Sequence, residues 1–269
     1  MGLFDVHAHL THTRLLPRVD EVLSNAERAG LTSIVSNGLN PEDNAAVARL
    51  AEAHPTLVRP AFGLYPVDAV LPEMTAAGVE YPRAPGPWTG EEAVADVRSR
   101  AGEALAVGEI GLDGYWVPEA FWDRQEALFC ALVRVAIEND KPIIIHTRKR
   151  ERRAFELLAE LGARRVNWHC FGGKVKLARR IAGELGHCFS IPANARRSES
   201  FTRMLQTLPR EQLLLETDCP YLPPERGMTN EPATVQGTCA YTAELWGETA
   251  ASAAEQFEDN YRALFRADP

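Results

Sequence analysis

Two histidines stand one residue apart in Asp5-Val-His-Ala-His9, at the end of a short apolar run. In an extended strand alternate side chains point the same way, so His7 and His9 converge. Two imidazoles aimed at one point make half of a metal site. Four more groups of the same chemical kind end other apolar runs: Glu109, His146, His169 and Asp218. Taken singly, each reads equally well as a helix cap or a satisfied core histidine. Together they are six imidazole or carboxylate groups closing five runs that burial on both faces should make aliphatic throughout.

Their number bears on stoichiometry. One catalytic ion takes three protein ligands, so four histidines and two carboxylates exceed a single site. A carboxylate can bridge two ions, and Glu109 lies between the His7/His9 pair and the His146/His169 pair in chain order. The expectation is two divalent ions about 3.5–4 Å apart, a pair that activates water and clamps attacking and leaving oxygens. Asp218 would bind one ion and also orient or deprotonate that water. The chain has no competing G-x-S-x-G elbow, P-loop or G-x-G-x-x-G turn.

Such groups must be positioned by a scaffold. Apolar β-type runs recur at 3–7, 31–36, 57–62, 104–108, 142–146, 165–169, 187–191 and 212–217. Helical periodicity fills 15–29, 42–53, 90–102, 118–139, 149–162, 174–184 and 198–207, and two closing helices fall near 234–246 and 250–264. Eight strands alternating with helices predict a parallel sheet closed as a (β/α)₈ TIM barrel, with the six groups at the C-terminal mouth of its strands. A single domain over residues 1–269 suits this fold. One stretch breaks the rhythm: Gly78-Val-Glu-Tyr-Pro-Arg-Ala-Pro-Gly-Pro-Trp88 is dense in proline and aperiodic. It reads either as a loop shaping substrate access or as a solvated excursion ordered by Tyr81 and Trp88.

Composition narrows the class. The five cysteines are odd in number and form no C-x-x-C pair, which argues for a reducing compartment and against a disulfide framework or zinc knuckle. No segment reaches the roughly 18 apolar residues of a membrane span, and the N-terminus carries no signal-peptide pattern, so a cytoplasmic protein is expected. The net charge of -8 counts against a passive nucleic-acid-binding module. It counts less against a metalloenzyme acting on phosphates, whose ions supply local positive charge.

The motifs Asp5-Val-His-Ala-His-Leu10, Gly108-Glu-Ile-Gly-Leu-Asp113, Ile145-His-Thr-Arg148, His169-Cys-Phe-Gly172, Glu216-Thr-Asp-Cys-Pro-Tyr-Leu222 and Arg226-Gly-Met-Thr-Asn-Glu-Pro232, with Arg124-Gln125, are similar in order and spacing to the TatD-like family of metal-dependent hydrolases. The resemblance implies one ion held by His7, His9 and Asp218 and another by His146 and His169, with Glu109 bridging. It implies a deoxyribonuclease, 3′-to-5′ exonucleolytic on single-stranded DNA or RNA, with Arg148 and Asn230 near the substrate and no obligate protein partner. Magnesium, zinc and manganese all suit the mixed ligand set. Gly63-Leu-Tyr-Pro66 departs from the family's Gly-x-His-Pro, placing Tyr65, an uncharged donor, where a histidine would face the phosphate. That departure sustains an alternative, hydrolysis of a small phosphoester, lactone or amide. A non-catalytic metal-binding protein is the remaining reading, and six intact ligands weigh against it.

Lesser candidates have plainer expectations. Asp113 should align a ligand or cap a turn, and Asp5 should point inward below His7 toward a ligand imidazole. His12 reads as a surface residue beside the pair, and His54 and His187 as structural. Alternation directs Cys170, Cys219 and Trp168 toward the helices. Lys149, Arg150, Arg152 and Arg153 read as a solvated basic turn, and Arg196 and Arg197 as possible phosphate contacts.

Overall fold

Eight parallel strands pair strictly in chain order in a computed structural model that describes residues 2–266. They are β1 (Leu3–Ala8), β2 (Leu31–Asn37), β3 (Val58–Phe62), β4 (Ala106–Asp113), β5 (Ile143–Arg148), β6 (Val166–Trp168), β7 (Cys188–Ile191) and β8 (Leu213–Leu215). Between them run α1 (Val19–Arg28), α2 (Pro41–Ala53), α3 (Leu71–Ala76), α4 (Gly90–Arg100), α5 (Trp122–Glu138), α6 (Glu151–Glu160), α7 (Val175–Leu185) and α8 (Glu199–Thr207), and α9 (Val235–Trp246) and α10 (Ala250–Phe265) follow β8. This is a (β/α)₈ barrel, as the alternation predicts. Met1 and residues 267–269, the ends of the expected domain, lie outside the described residues.

Local chemistry starts the helices. Asn40 caps α2 by accepting the Asp43 N–H, with Pro41 preset for the first turn. Thr89 and Glu92 form a reciprocal capping box at α4. The main core lies between sheet and helices, where Val107, Ile110, Ile143, Ile145, Trp168 and Phe189 meet Leu128, Phe129, Leu132 and Leu158. In α10, Tyr261 stacks on Phe4 at 4.2 Å and its hydroxyl bonds Ser33.

Two elements depart from the sequence reading. β4 does not stop at Gly108 but continues through Asp113, beside β5. Gly111 allows this, because a Cβ there would lie 1.9 Å from the His146 carbonyl oxygen. The short helix α3 was absent from the sequence expectation. Its six residues span less than two turns, too few for a 3.6-residue period to register, and burial of Leu71 and Met74 holds it.

The closure between β1 and β8 matters most for the site. Among the described residues no regular ladder joins them, and the bridge Ala8 to Cys219 does. Around it the His9 N–H donates to the Cys219 carbonyl and the Asp218 N–H to the His7 carbonyl, both at 2.9 Å. The bonds that seal the barrel are therefore made by the residues expected to do chemistry.

Candidate metal centre

All six sequence-predicted groups meet at the strands' C-terminal end. Glu109 stands at the middle, almost fully buried, and its two oxygens face different partners. One lies 3.5 Å from the Nε2 atoms of both His7 and His9. The other lies 3.0 Å from His146 Nδ1 and 3.3 Å from His169 Nε2. Asp218 completes the first side, its Oδ1 3.4 Å from His9 Nε2 and 3.7 Å from His7 Nε2. Among the described residues, His7/His9/Glu109 and Glu109/His146/His169 each bring three donor atoms within 4.8 Å of one another.

The far nitrogens show which atoms face inward. His9 Nδ1 is 3.3 Å from the Asn37 carbonyl. His146 Nε2 is 3.1 Å from Asp113 Oδ2, while His169 Nδ1 faces Glu216 Oε2 at 3.6 Å, too far for a hydrogen bond. An imidazole whose outer N–H is taken by an acceptor turns a lone pair to the centre, the arrangement of metal-binding histidines. His7 Nδ1 is buried without a partner. Its ring is held instead by stacking on His169, with centroids 3.8 Å apart.

Electrostatics fit a cation. Burial disfavours charge on Glu109, yet His169, His146 and His7 hold its carboxyl well below the usual range. Burial likewise opposes a proton on His9, but Asp218 and Glu109 raise it to about 9. His169 is held well above the ordinary value by Glu109 and Glu216, against its burial. Burial and the neighbouring His169 push His7 down to about 3. Burial opposes a proton on His146 too, but Asp113 and Glu109 raise it. The carboxylates thus draw protons onto three of four imidazoles, and a divalent cation offers the same neutralisation by displacing them.

Several residues lie elsewhere than expected. Asp5 reaches no imidazole: its carboxylate accepts the Thr217 N–H, the Thr217 hydroxyl and the His7 N–H. The β1–β2 register slips between Asp5 and Ala8, which breaks the alternation that put Asp5 and His7 on one face. Asn230, expected at the substrate, is 1% exposed. Its amide donates to the Thr217, Tyr221 and Leu222 carbonyls and its oxygen accepts from Thr234, so it ties the loop after β8 and has no free donor. Arg150 is not solvated; it is buried, pairs with Glu126 and lies 4.0 Å from the Trp122 ring. Arg196 pairs with Glu244 and Arg197 donates to the Pro223 and Pro224 carbonyls, which commits both to neighbouring chain. The two cysteines are as expected: Cys219 is a small core residue beside Ala8 and Leu10, and Cys170, beyond the end of β6 with φ 42°, packs against the main core.

Asp113 does both things expected of it. One oxygen bonds His146, and the other accepts the Tyr115 and Trp116 N–H groups at 2.7 and 2.8 Å. Tyr65 sits with its ring edge against His146, centroids 5.1 Å apart. Burial and nearby Glu109 and Asp113 push its hydroxyl up, keeping it a neutral donor. Arg148 is exposed and lies 3.6 Å from the centroid of Tyr115. His12 packs its ring edge on Tyr221, and His54 lies 3.6 Å from Asp20.

Sequence reasoning assigned no role to Glu216. Fully buried, it accepts the Cys170 N–H at 2.7 Å and the Ser190 hydroxyl at 2.6 Å while facing His169. The signal was present: two residues before Asp218, it repeats the spacing that singled out His7 and His9.

The chain is similar over nearly its full length to TatD-related proteins. A family model described as TatD related DNase matches residues 4–266. The putative deoxyribonuclease tatdn3 of Danio rerio is 27% identical over 98% of this chain and 97% of its own length. A protein of Edwardsiella piscicida named 3'-5' ssDNA/RNA exonuclease TatD is 29% identical over 98% and 99%. The crystal structure of the TatD homolog YJJV from Escherichia coli superposes with a TM-score of 0.83 at 25% identity, covering 99% of this chain and 98% of that one. A barrel mouth lined by histidines and carboxylates and a family model spanning the barrel agree: this chain belongs to the TatD-related DNase family of metal-dependent hydrolases.

Proposed function

We propose that the protein is a 3′-to-5′ exonuclease on single-stranded DNA or RNA, working with two divalent ions. The observation that carries the two-ion reading is the division of Glu109, one oxygen toward His7 and His9 and the other toward His146 and His169. On this reading His7, His9 and Asp218 would hold one ion and His146 and His169 the other, with Glu109 shared between them. Divalent ions here would polarise the phosphodiester and supply a water acidic enough to attack near neutrality. Asp218 is the general base: neighbouring His9, His169 and His7 overcome its burial and hold the carboxyl below the usual range, so it is ionised and able to take a proton. Arg148, exposed beside the mouth, faces the substrate phosphates, and the Tyr65 hydroxyl donates to a phosphoryl oxygen. Magnesium, manganese and zinc are all compatible with these donors. The name of the Edwardsiella relative supports the choice of strand and polarity.

The chain's residues 1–269 act on this reading as one catalytic domain in the cytoplasm, with nucleic acid as the only partner required. Among the described residues no helix is long and apolar enough to cross a membrane. The uncharged Tyr65 favours a second reading, a small phosphoester, lactone or amide as substrate for the same centre. End-labelled single-stranded DNA separates the two. Metal-loaded protein should shorten it from the 3′ end, and chelator, His7→Ala and Asp218→Asn should each stop the reaction. A protein that binds metal, leaves DNA and RNA intact and hydrolyses small esters or amides would establish the second reading instead.

A further inference from the structure

Beyond the centre, the mouth carries aromatic side chains that the chemistry above does not use. Tyr115 and Trp116, just past β4, are 48% and 39% exposed, unusual for large rings in a folded chain. They stand edge to face with centroids 5.0 Å apart, and Trp116 meets Tyr81 of the proline-rich loop in the same way at 5.5 Å. Between Trp116 and residues 78–85 lies a cleft of about 830 Å³, bordered by Thr75, Val79, Tyr81, Pro82 and Pro85. That is room for a nucleotide.

Two features tie this surface to the centre and to a charged strand. The Asp113 carboxylate that orients His146 also fixes the Tyr115 and Trp116 main chain, so rings and metal-binding imidazole share one anchor. Cations also accompany the rings. The Arg148 guanidinium lies 3.6 Å and the Lys149 ammonium 4.9 Å from the Tyr115 centroid. Neither side chain forms an ion pair among the described residues, so both charges are available to phosphates. Flat exposed rings interleaved with unpaired cations are the pattern that binds single strands, each base stacking on a ring while the backbone follows the charges.

We propose that Tyr115, Trp116 and the adjoining cleft form a stacking site for unpaired bases next to the phosphodiester at the centre, so that this platform selects single strands. Bases in a duplex are stacked and paired with one another and cannot lie on these rings. The inference rests on the nuclease reading and names the part of the protein that recognises the strand.

The test is binding, so it does not depend on turnover. Asp218→Asn protein loaded with magnesium is titrated into a 5′-labelled single-stranded thymidine oligomer and followed by fluorescence anisotropy. Adding Trp116→Ala should weaken binding at least about five-fold, the lower end of what one stacked base contributes, and Trp116→Phe should restore most of it. Abasic sites at the 3′-terminal positions should weaken the parent by a similar factor and leave the Trp116→Ala protein without further loss. Binding changed less than two-fold by Trp116→Ala, or base and ring penalties that simply multiply, would overturn the platform while leaving the nuclease intact. A wild-type protein that neither binds nor cuts the strand would remove the nuclease reading and the platform with it.

Discussion

The two halves of the proposed centre are built by different means. His7, His9 and Asp218 sit on the seam between β1 and β8, where main-chain bonds from His9 and Asp218 and the Asp5 clamp on Thr217 hold them. His146 and His169 sit on adjoining strands whose positions are already fixed, and separate carboxylates, Asp113 and Glu216, orient their rings. The seam half is placed by backbone closure, the other by side chains behind the ligands. The seam half also brings two imidazoles and a carboxylate besides Glu109, the other only two imidazoles, which leaves it more open to water or substrate. On the two-ion reading the seam residues would therefore hold their ion the more tightly.

The largest effect expected is on the residue the halves share. Glu109→Gln should abolish hydrolysis and lower metal content at both positions, as titration of apo-protein would reveal. Retention of one tight equivalent would show that Glu109 belongs to one half only.

Next in size are changes to the supports. Asp5→Ala leaves three donors without an acceptor, at about 1–3 kcal/mol each, so the denaturation midpoint should fall clearly. Asp113→Asn should instead weaken one metal equivalent about 10- to 100-fold with little change in that midpoint. Equal effects of both substitutions on stability and on metal affinity would erase the distinction between the halves.

The smallest effect concerns an imidazole outside the centre. Buried His187 accepts from the Trp168 indole and donates to the Ala163 carbonyl, and burial lowers its pKa from 6.5 to about 4. Unfolded, it takes up a proton near 6.5; folded, only near 4. Its contribution to stability is therefore complete above about pH 6.5 and is lost as pH falls to 4, a difference of about 3 kcal/mol. In His187→Gln the pH dependence of unfolding over that window should flatten by about one proton. An unchanged slope would mean that the histidine is not held neutral.

What the sequence disclosed follows from this division of labour. The six groups at strand ends were legible because a histidine or acid interrupting an aliphatic run is conspicuous, and alternation aligned His7 with His9. Supports were not, because they join distant segments: Glu216 reaches the Cys170 main chain 46 residues away, and Asp5 reaches Thr217 across 212. Asn230 was misread because a motif position does not say whether an amide faces substrate or its own loop. The extent of β4 was missed because its two glycines suggest a turn, whereas Gly111 serves close approach to β5. Tyr115 and Trp116 carried no periodic signal, and only the fold brings them beside Tyr81.

The most direct test of the two-ion account is the number of tightly bound manganese ions in wild-type, His9→Ala and His146→Ala protein after dialysis against metal-buffered solution. The account predicts two equivalents in the wild type and one in each variant, the ion retained in His146→Ala being the tighter. A wild type that saturates at a single equivalent would contradict it.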